Sequence, residues 1–183
     1  MKVNFQFDEA PKNNAIVFEQ IFAERPAGGL IAGSAFTIAQ GTAVGEDNGK
    51  LKPIKAYRVY ADATSDATSI KVEKGSGVAS GDIIGVGGKS VACTGVNTAD
   101  ADFDVVTVSL GVAVSKGDVL FQAKTAKSTG AEPIYKPLYL VGNEVPANVG
   151  DYPVRLINGA NIRKETAQVA KEVVALMPSI ALV

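Results

Sequence analysis

The chain has 183 residues, a net charge of −1 and 46% hydrophobic residues, so it can bury a core but has no basic excess to attract nucleic-acid phosphates. Histidine is absent, which removes the usual general base near neutral pH and the commonest metal ligand. The single cysteine, Cys93, excludes an intramolecular disulfide, and the apolar runs are too short for a membrane span or a Sec signal.

The first part of the chain, residues 1–27, is interrupted by prolines and by an Asn-Asn pair. Its apolar run, residues 15–22, is too short for its periodicity to separate a strand from a helical turn. Few core contacts are expected for it. We interpret residues 1–27 as an N-terminal arm and as a candidate for packing on a neighbouring subunit.

From Gly28 onward the pattern is typical of short strands separated by turns. Asn48-Gly49 is a strong hairpin signal, because both residues tolerate the left-handed region that a type I′ turn requires. Proline follows in the returning strand, which we therefore expect at a sheet edge. Strands at intervals of roughly ten residues indicate a small barrel or sandwich. The predicted strands are 30–38, 42–44, 50–54, 55–60, 69–73, 105–110 and 119–123.

Two similar segments, 77–84 and 111–120, each lead through a Gly-Asp pair into aliphatic residues. Glycine adopts the positive φ of a tight turn, and aspartate accepts hydrogen bonds from nearby backbone amides. The aliphatic residues that follow favour strands. This repeat predicts two stiff corners, at Gly81-Asp82 and Gly117-Asp118, and contains no catalytic pattern.

The last part of the chain begins with a polar linker, residues 124–130, followed by proline-punctuated extended pieces. We predict strands over 138–141 and 154–157, and one helix from about Lys164 to Met177 with Thr166 as a cap. The apolar tail, 179–183, is expected to complete a sheet in this chain or on a neighbour. The apolar stripe of the helix consists of Ile162, Val169, Val173 and Leu176.

Three carboxylates, Asp100, Asp102 and Asp104, have the spacing that opens a calcium-binding loop. An EF-hand loop also needs glycine at its sixth position and glutamate at its twelfth, where this chain has Val105 and Gly111. A solvated acidic loop is the favoured reading, and calcium remains the alternative. Asp102 and Asp104 would share a strand face, which does not suit a general acid–base pair.

Two further features resemble sites only superficially. Residues 85–90 are rich in glycine and end in Lys-Ser, but they lack phosphate-loop spacing and precede no helix, so we predict a hairpin turn. Cys93 has no histidine to activate it, and we interpret it as an inert buried thiol. Without histidine or a G-x-S-x-G elbow, a hydrolase triad has no support.

Several stretches resemble tailed-phage head-decoration and head-fibre proteins, those of phages and prophages of anaerobic gut bacteria among them. The resemblance covers most of residues 28–183 and consists of turns and alternation. It implies a virion surface protein, a homotrimer with a β-clip or small-barrel body, and it supplies no catalytic residues. The stretches are Gly28–Ala35, Asn48–Pro53, Thr68–Gly75 into Gly81-Asp82, and Val154–Thr166 with the helix and tail.

We therefore expect a mainly β protein: a small β-barrel or β-clip-like body with an inserted β lobe and one C-terminal helix. The expected parts are the N-terminal arm (1–27), a β domain (28–123) and a region of extended strands, helix and tail (124–183). Within the β domain, the middle lobe (57–123) is a candidate for a separate module whose role the resemblance does not define.

The expected function is structural: decoration or cementing of a phage capsid as a homo-oligomer, without enzymatic activity, cofactor or metal. The expected partners are further copies of this chain and the major capsid protein, not nucleic acid or membrane. The expected location is the capsid surface, after synthesis in the bacterial cytoplasm without a signal peptide. The alternative is a β-domain module that binds carbohydrate or a host surface. Its support is thin, because tryptophan is absent and the tyrosines have strand-like contexts: Tyr57, Tyr60, Tyr135, Tyr139 and Tyr152.

Overall fold

A computed structural model describes residues 16–183, and the architecture is mainly β, with 43% strand and 2% helix. This confirms the predicted fold class. The described residues form fifteen strands and one helical turn: β1 Phe18–Glu24, β2 Gly29–Ile31, β3 Ala43–Asp47, β4 Lys50–Pro53, β5 Ala56–Arg58, β6 Ser69–Glu73, β7 Ile83–Val86, β8 Lys89–Ala92, β9 Gly95–Asn97, β10 Phe103–Thr107, β11 Val119–Gln122, β12 Pro137–Val141, β13 Tyr152–Val154, β14 Leu156–Ile162, α1 Lys171–Val174 and β15 Ile180–Leu182.

The body is an eight-stranded sheet that curls into a half-barrel. Its strand order is β1-β14-β12-β3-β4-β2-β13, and β15 pairs in parallel with β14. Neighbouring residues of a strand point to opposite sides of the sheet, so consecutive apolar residues on β12 and β14 bury side chains on both faces. On β12, Leu140 belongs to one core cluster and Val141 to another. On β14, Ile157 and Leu156 divide in the same way.

The middle lobe contains a four-stranded sheet, β5-β11-β7-β8, and a three-stranded sheet, β6-β10-β9. The four-stranded sheet separates two cores. Ile83 and Phe121 pack with the core of the body, whereas Ile84 and Leu120 pack with the core of the lobe. The lobe 57–123 and the body therefore share one sheet as a common wall.

Both kinds of predicted turn are present. Asn48 and Gly49 have φ values of 51° and 77° and join β3 to β4, as a type I′ turn requires. Gly81 and Gly117 have φ values of 91° and 89°, and each precedes the aspartate of its corner. The strands that follow the two corners, β7 and β11, pair with each other.

Two strand predictions need correction. The strand expected over 30–38 ends at Ile31, because the chain then passes close to the 145–150 loop: a Cβ atom on Gly33 would collide with the Val149 carbonyl oxygen. The strand β4 is not at an edge, since it lies between β3 and β2. Its pairing with β2 is a single register pair, Ile31 with Leu51, so Pro53 has no ladder partner on that side.

The expected arm 1–27 is in part an integral strand. Residues 1–15 lie outside the described range, but β1 pairs antiparallel with β14 along its whole length. Val17, just before β1, is buried in the core of the body. The short apolar run is therefore a strand, and its core contacts exceed what the sequence indicated.

The helix predicted over 164–177 is reduced to the single turn α1, and Thr166 does not cap it. The Thr166 hydroxyl donates instead to the carbonyl of Ile16 at 2.7 Å. The guanidinium of Arg58 donates to the carbonyl of Ala167 at 2.5 Å. A longer helix would use that carbonyl in its own hydrogen-bond ladder, so these tertiary contacts override the helical pattern.

The apolar stripe of that helix was also partly wrong. Leu176 is 53% exposed, whereas Val174 and Met177 are buried. The apolar tail was expected to complete a sheet in this chain or on a neighbour. It does so in this chain, because β15 pairs in parallel with β14.

Candidate assembly surface

The acidic loop around Asp100 contains an internal cation. Lys74 Nζ donates to the carbonyl oxygens of Thr98 and Asp100, at 2.5 and 2.7 Å, and lies 2.8 Å from Asp104 Oδ1. The Lys74 ammonium group therefore engages two carbonyls of this loop and the Asp104 carboxylate. The expectation of a fully solvated loop is wrong for Asp104, which is buried, while Asp102 is exposed before β10 begins.

Cys93 and the glycine-rich segment 85–90 both lie in places that the fold itself explains. Cys93 is buried at 2% exposure, and burial raises the pKa of its thiol. The glycine-rich segment forms the turn between β7 and β8, as predicted. In that turn the Gly87 amide donates to the Glu172 carboxylate at 2.9 Å, so a side chain of the same protein already binds there.

Asp82, at the first corner, is the centre of a polar network. Its carboxylate accepts hydrogen bonds from Lys55 Nζ at 2.9 Å, Tyr57 Oη at 3.0 Å and the Ala79 amide at 2.9 Å. Gln122 Nε2 lies 3.3 Å away. Burial and the neighbouring carboxylate raise the pKa of Tyr57, so its hydroxyl stays protonated and donates. These bonds fasten the corner to β5 and β11, which is a structural role.

The cleft between the body and the lobe, about 220 Å³, is lined in part by Arg58, Glu73 and Ser76. Arg58, at its wall, is 6% exposed and donates to the carbonyls of Gly117 and Ala167. Its Nε lies 3.9 Å from Glu73, and burial lowers the pKa of the guanidinium. This arginine ties the lobe to the C-terminal segment.

None of the five tyrosines is fully exposed. Tyr57 is fully buried and the other four are half-buried. Lys116 covers the ring of Tyr60 at 5.6 Å, and Arg25 covers the ring of Tyr139 at 5.9 Å. Stacking of a sugar on the covered face of Tyr60 or Tyr139 would require displacing those cations.

An exposed apolar surface lies around the turn between β1 and β2. We call it the turn patch and define it by Phe22, Pro26, Ala27, Leu30 and Pro153, all of which are exposed. Phe22 and Leu30 are 59% and 60% exposed. Leu30 and Pro153 are opposite each other in the β2–β13 ladder, which continues the patch across two strands.

A shallow hollow of about 510 Å³ adjoins the turn patch and shares Pro26, Ala27 and Pro153 with it. The Arg155 guanidinium at its rim holds Glu24 by a pair of hydrogen bonds, the shorter 2.6 Å long, and this lowers the pKa of Glu24. The lining residues are Glu24, Arg25, Pro26, Ala27, Gly28, Gly29, Asn143, Pro153, Val154 and Arg155.

A second set of exposed apolar residues lies near the C-terminus. Ile16 and Val183 are 55% and 54% exposed. Both adjoin the 163–166 segment, since Thr166 bonds to the Ile16 carbonyl and the Lys164 amide donates to Val183.

Sequence reasoning did not identify the turn patch. It assigned Phe22 to the N-terminal arm and Leu30 to the first position of a strand over 30–38. The available signal was the clustering of Pro26 and the glycines at 28 and 29, which predicts a turn but does not reveal which apolar side chains it exposes.

Between residues 16 and 183, no three side chains of histidine, cysteine, aspartate or glutamate converge to hold a metal ion. The helical turn in the same range is far too short to span a bilayer. Comparisons with protein-family models, with curated proteins and with solved structures find no match to this chain.

Proposed function

We propose that this chain is a structural virion protein that decorates or cements a tailed-phage capsid surface as a homo-oligomer, and that it is not an enzyme. The observation that carries the proposal is the turn patch. Exposed apolar clusters of this kind mark interaction sites, because isolated subunits rarely expose them without a partner. The sequence resemblance to head-decoration and head-fibre proteins names the assembly in which such a patch would be buried.

The polar interior supports the same proposal. The charged groups with the least exposure, Arg58, Asp82 and Asp104, are each engaged by the fold itself through carbonyls, hydroxyls or ammonium groups. Such groups hold corners and loops in place. A rigid scaffold with adhesive surfaces is what a cementing protein requires.

The proposed mechanism is burial of apolar area between neighbouring copies and against the major capsid protein. At about 25 cal/mol per Å², contacts of a few thousand Å² persist even after the entropy of association is subtracted. A homotrimer, as the resemblance implies, would present three such surfaces at once and gain from multivalency.

Particle composition tests this proposal. Tailed-phage particles made from the genome that encodes this chain are purified, heads are separated from tails, and the peptides of each fraction are identified by mass spectrometry. We expect the chain in the head fraction at many copies per particle. Its presence in infected-cell extract but absence from purified heads would contradict the proposal.

A further inference from the structure

The chain contains two Asn-Gly pairs, Asn48-Gly49 and Asn158-Gly159, in different surroundings. The first pair forms the turn between β3 and β4, whereas the second lies inside β14, the strand that pairs with β1. The asparagine is exposed in both pairs, so access of water does not distinguish them. What differs is the freedom of the backbone at the glycine.

An asparagine followed by glycine can lose its side-chain amide without an enzyme. The backbone nitrogen of the glycine attacks the side-chain carbonyl carbon of the asparagine. This N–C bond forms, the bond from that carbon to the amide nitrogen breaks, and ammonia leaves with the proton of the backbone nitrogen. Water then opens the five-membered succinimide to aspartate or isoaspartate. Glycine favours the reaction because it has no side chain to hinder its nitrogen, and ring closure requires rotation of the backbone at the asparagine.

Little holds the backbone at Gly49. A Cβ atom built on Gly49 would meet no heavy atom within 4 Å apart from its chain neighbours. In the part of the chain that the structure describes, the Gly49 amide donates to no backbone carbonyl. The Asp47–Lys50 register pair closes the turn, and Asn48 Nδ2 donates to Asp47 Oδ1 at 3.2 Å. A local opening of this hairpin end is therefore sufficient for ring closure.

The backbone at Gly159 is fixed by the sheet. Gly159 is buried and lies opposite Ala23 in the β1–β14 ladder, and β14 also pairs with β12 and β15. A Cβ atom on Gly159 would lie 2.7 Å from the Phe22 ring and 2.8 Å from the Ala23 Cβ atom. Rotation of the backbone at Asn158 would disrupt this packing, so the reaction there requires the sheet to separate.

We propose that Asn48 is a deamidation site of the folded chain, and that Asn158, although it precedes the same residue, is protected by its sheet. Conversion adds a carboxylate next to Asp47, which forms an ion pair of 2.6 Å with Lys52. Isoaspartate also adds one main-chain carbon to a two-residue turn whose geometry depends on its length. The β3–β4 hairpin therefore loses its register at this end, while β14 keeps its own.

The test follows both sites in the full-length chain during incubation at mildly alkaline pH, below the thermal midpoint. Mass spectrometry of the peptides that carry the two asparagines measures the gain in mass when OH replaces NH₂. The same incubation in concentrated urea gives the rate of each pair without the fold. Asn48→Asp is the control variant, because aspartate tolerates the left-handed turn and has no amide to lose.

In the folded chain we expect Asn48 to convert at least about tenfold faster than Asn158, because opening a hairpin end costs much less free energy than separating an interior strand. In urea the two rates should become comparable. The Asn48→Asp variant should show no gain in mass at the turn.

Three results would overturn the inference. The first is conversion of Asn158 in the folded chain at the rate of Asn48 or faster. The second is an Asn48 that converts in urea but not in the folded chain, since the turn would then protect it. The third is a difference in rate that persists unchanged in urea, because the contrast would then come from neighbouring residues and not from the fold.

Discussion

Asp82 and Asp118 occupy the same position in the two repeated corners, so their replacement by alanine isolates the value of the Asp82 network. Each carboxylate accepts one local amide, from Ala79 at 2.9 Å and from Ser115 at 2.8 Å. Asp82 also binds Lys55 and Tyr57, and its side chain is 11% exposed, whereas Asp118 is exposed. Asp118→Ala therefore serves as the internal control.

The expected cost follows from the groups left behind. Loss of the corner bond costs about 1 kcal/mol in both variants. In Asp82→Ala the buried Tyr57 hydroxyl also loses its hydrogen-bond acceptor, which costs about 1–3 kcal/mol. The Lys55 ammonium, 17% exposed, loses its partner in a largely desolvated pair and adds about 1 kcal/mol. Asp82→Ala should thus cost about 4 kcal/mol against about 1 kcal/mol for Asp118→Ala.

Urea unfolding followed by circular dichroism measures the difference. With a slope of about 2 kcal/mol per molar urea, the midpoint should fall by about 2 M for Asp82→Ala and about 0.5 M for Asp118→Ala. Asp82→Asn, which keeps an acceptor for Tyr57 but loses the charge facing Lys55, should fall between them. Equal shifts for the two alanine variants would refute the network.

Three further predictions concern other parts of the fold. Millimolar calcium should leave the thermal midpoint of the wild-type chain unchanged, because the Lys74 ammonium already engages Asp104 and two carbonyls of the acidic loop; a calcium-dependent rise would contradict this. Lys74→Met should lower stability by about 2–3 kcal/mol, because it leaves the buried Asp104 carboxylate uncompensated, and unchanged urea unfolding would count against that ion pair. Cys93 should react with a thiol reagent only upon unfolding. Because burial raises the pKa of the folded thiol, the unfolded thiol ionises first, and stability should fall as the pH rises above the ordinary pKa of a cysteine; rapid labelling of the native protein would disprove the burial of Cys93.

Local turn chemistry could be read from the sequence because it depends on neighbouring residues. Asn48-Gly49 and the two Gly-Asp corners adopt the expected geometry, since the left-handed φ angles leave few alternatives to glycine and asparagine. Strand order could not be read in the same way. The pairing of β1 with β14 joins residues more than a hundred positions apart, and no local pattern specifies it.

The shortened helix illustrates the limit of periodicity. Residues 164–177 have a helical pattern, but the Ala167 carbonyl bonds to Arg58, which is distant in sequence. The sequence also did not identify which apolar side chains are exposed, for a similar reason. Whether Phe22 or Leu176 faces the core depends on a bulge and on a turn end, and neither can be inferred from the spacing of apolar residues.

The most direct measurement for the central claim is a titration of empty capsid shells with the purified chain. Shells of the major capsid protein from the same genome are sedimented with increasing amounts of wild-type protein. We expect saturable binding at a fixed ratio of chain to capsid protein, together with greater resistance of the shells to heat. Shells that sediment without the chain at every concentration, and that melt at an unchanged temperature, would contradict it.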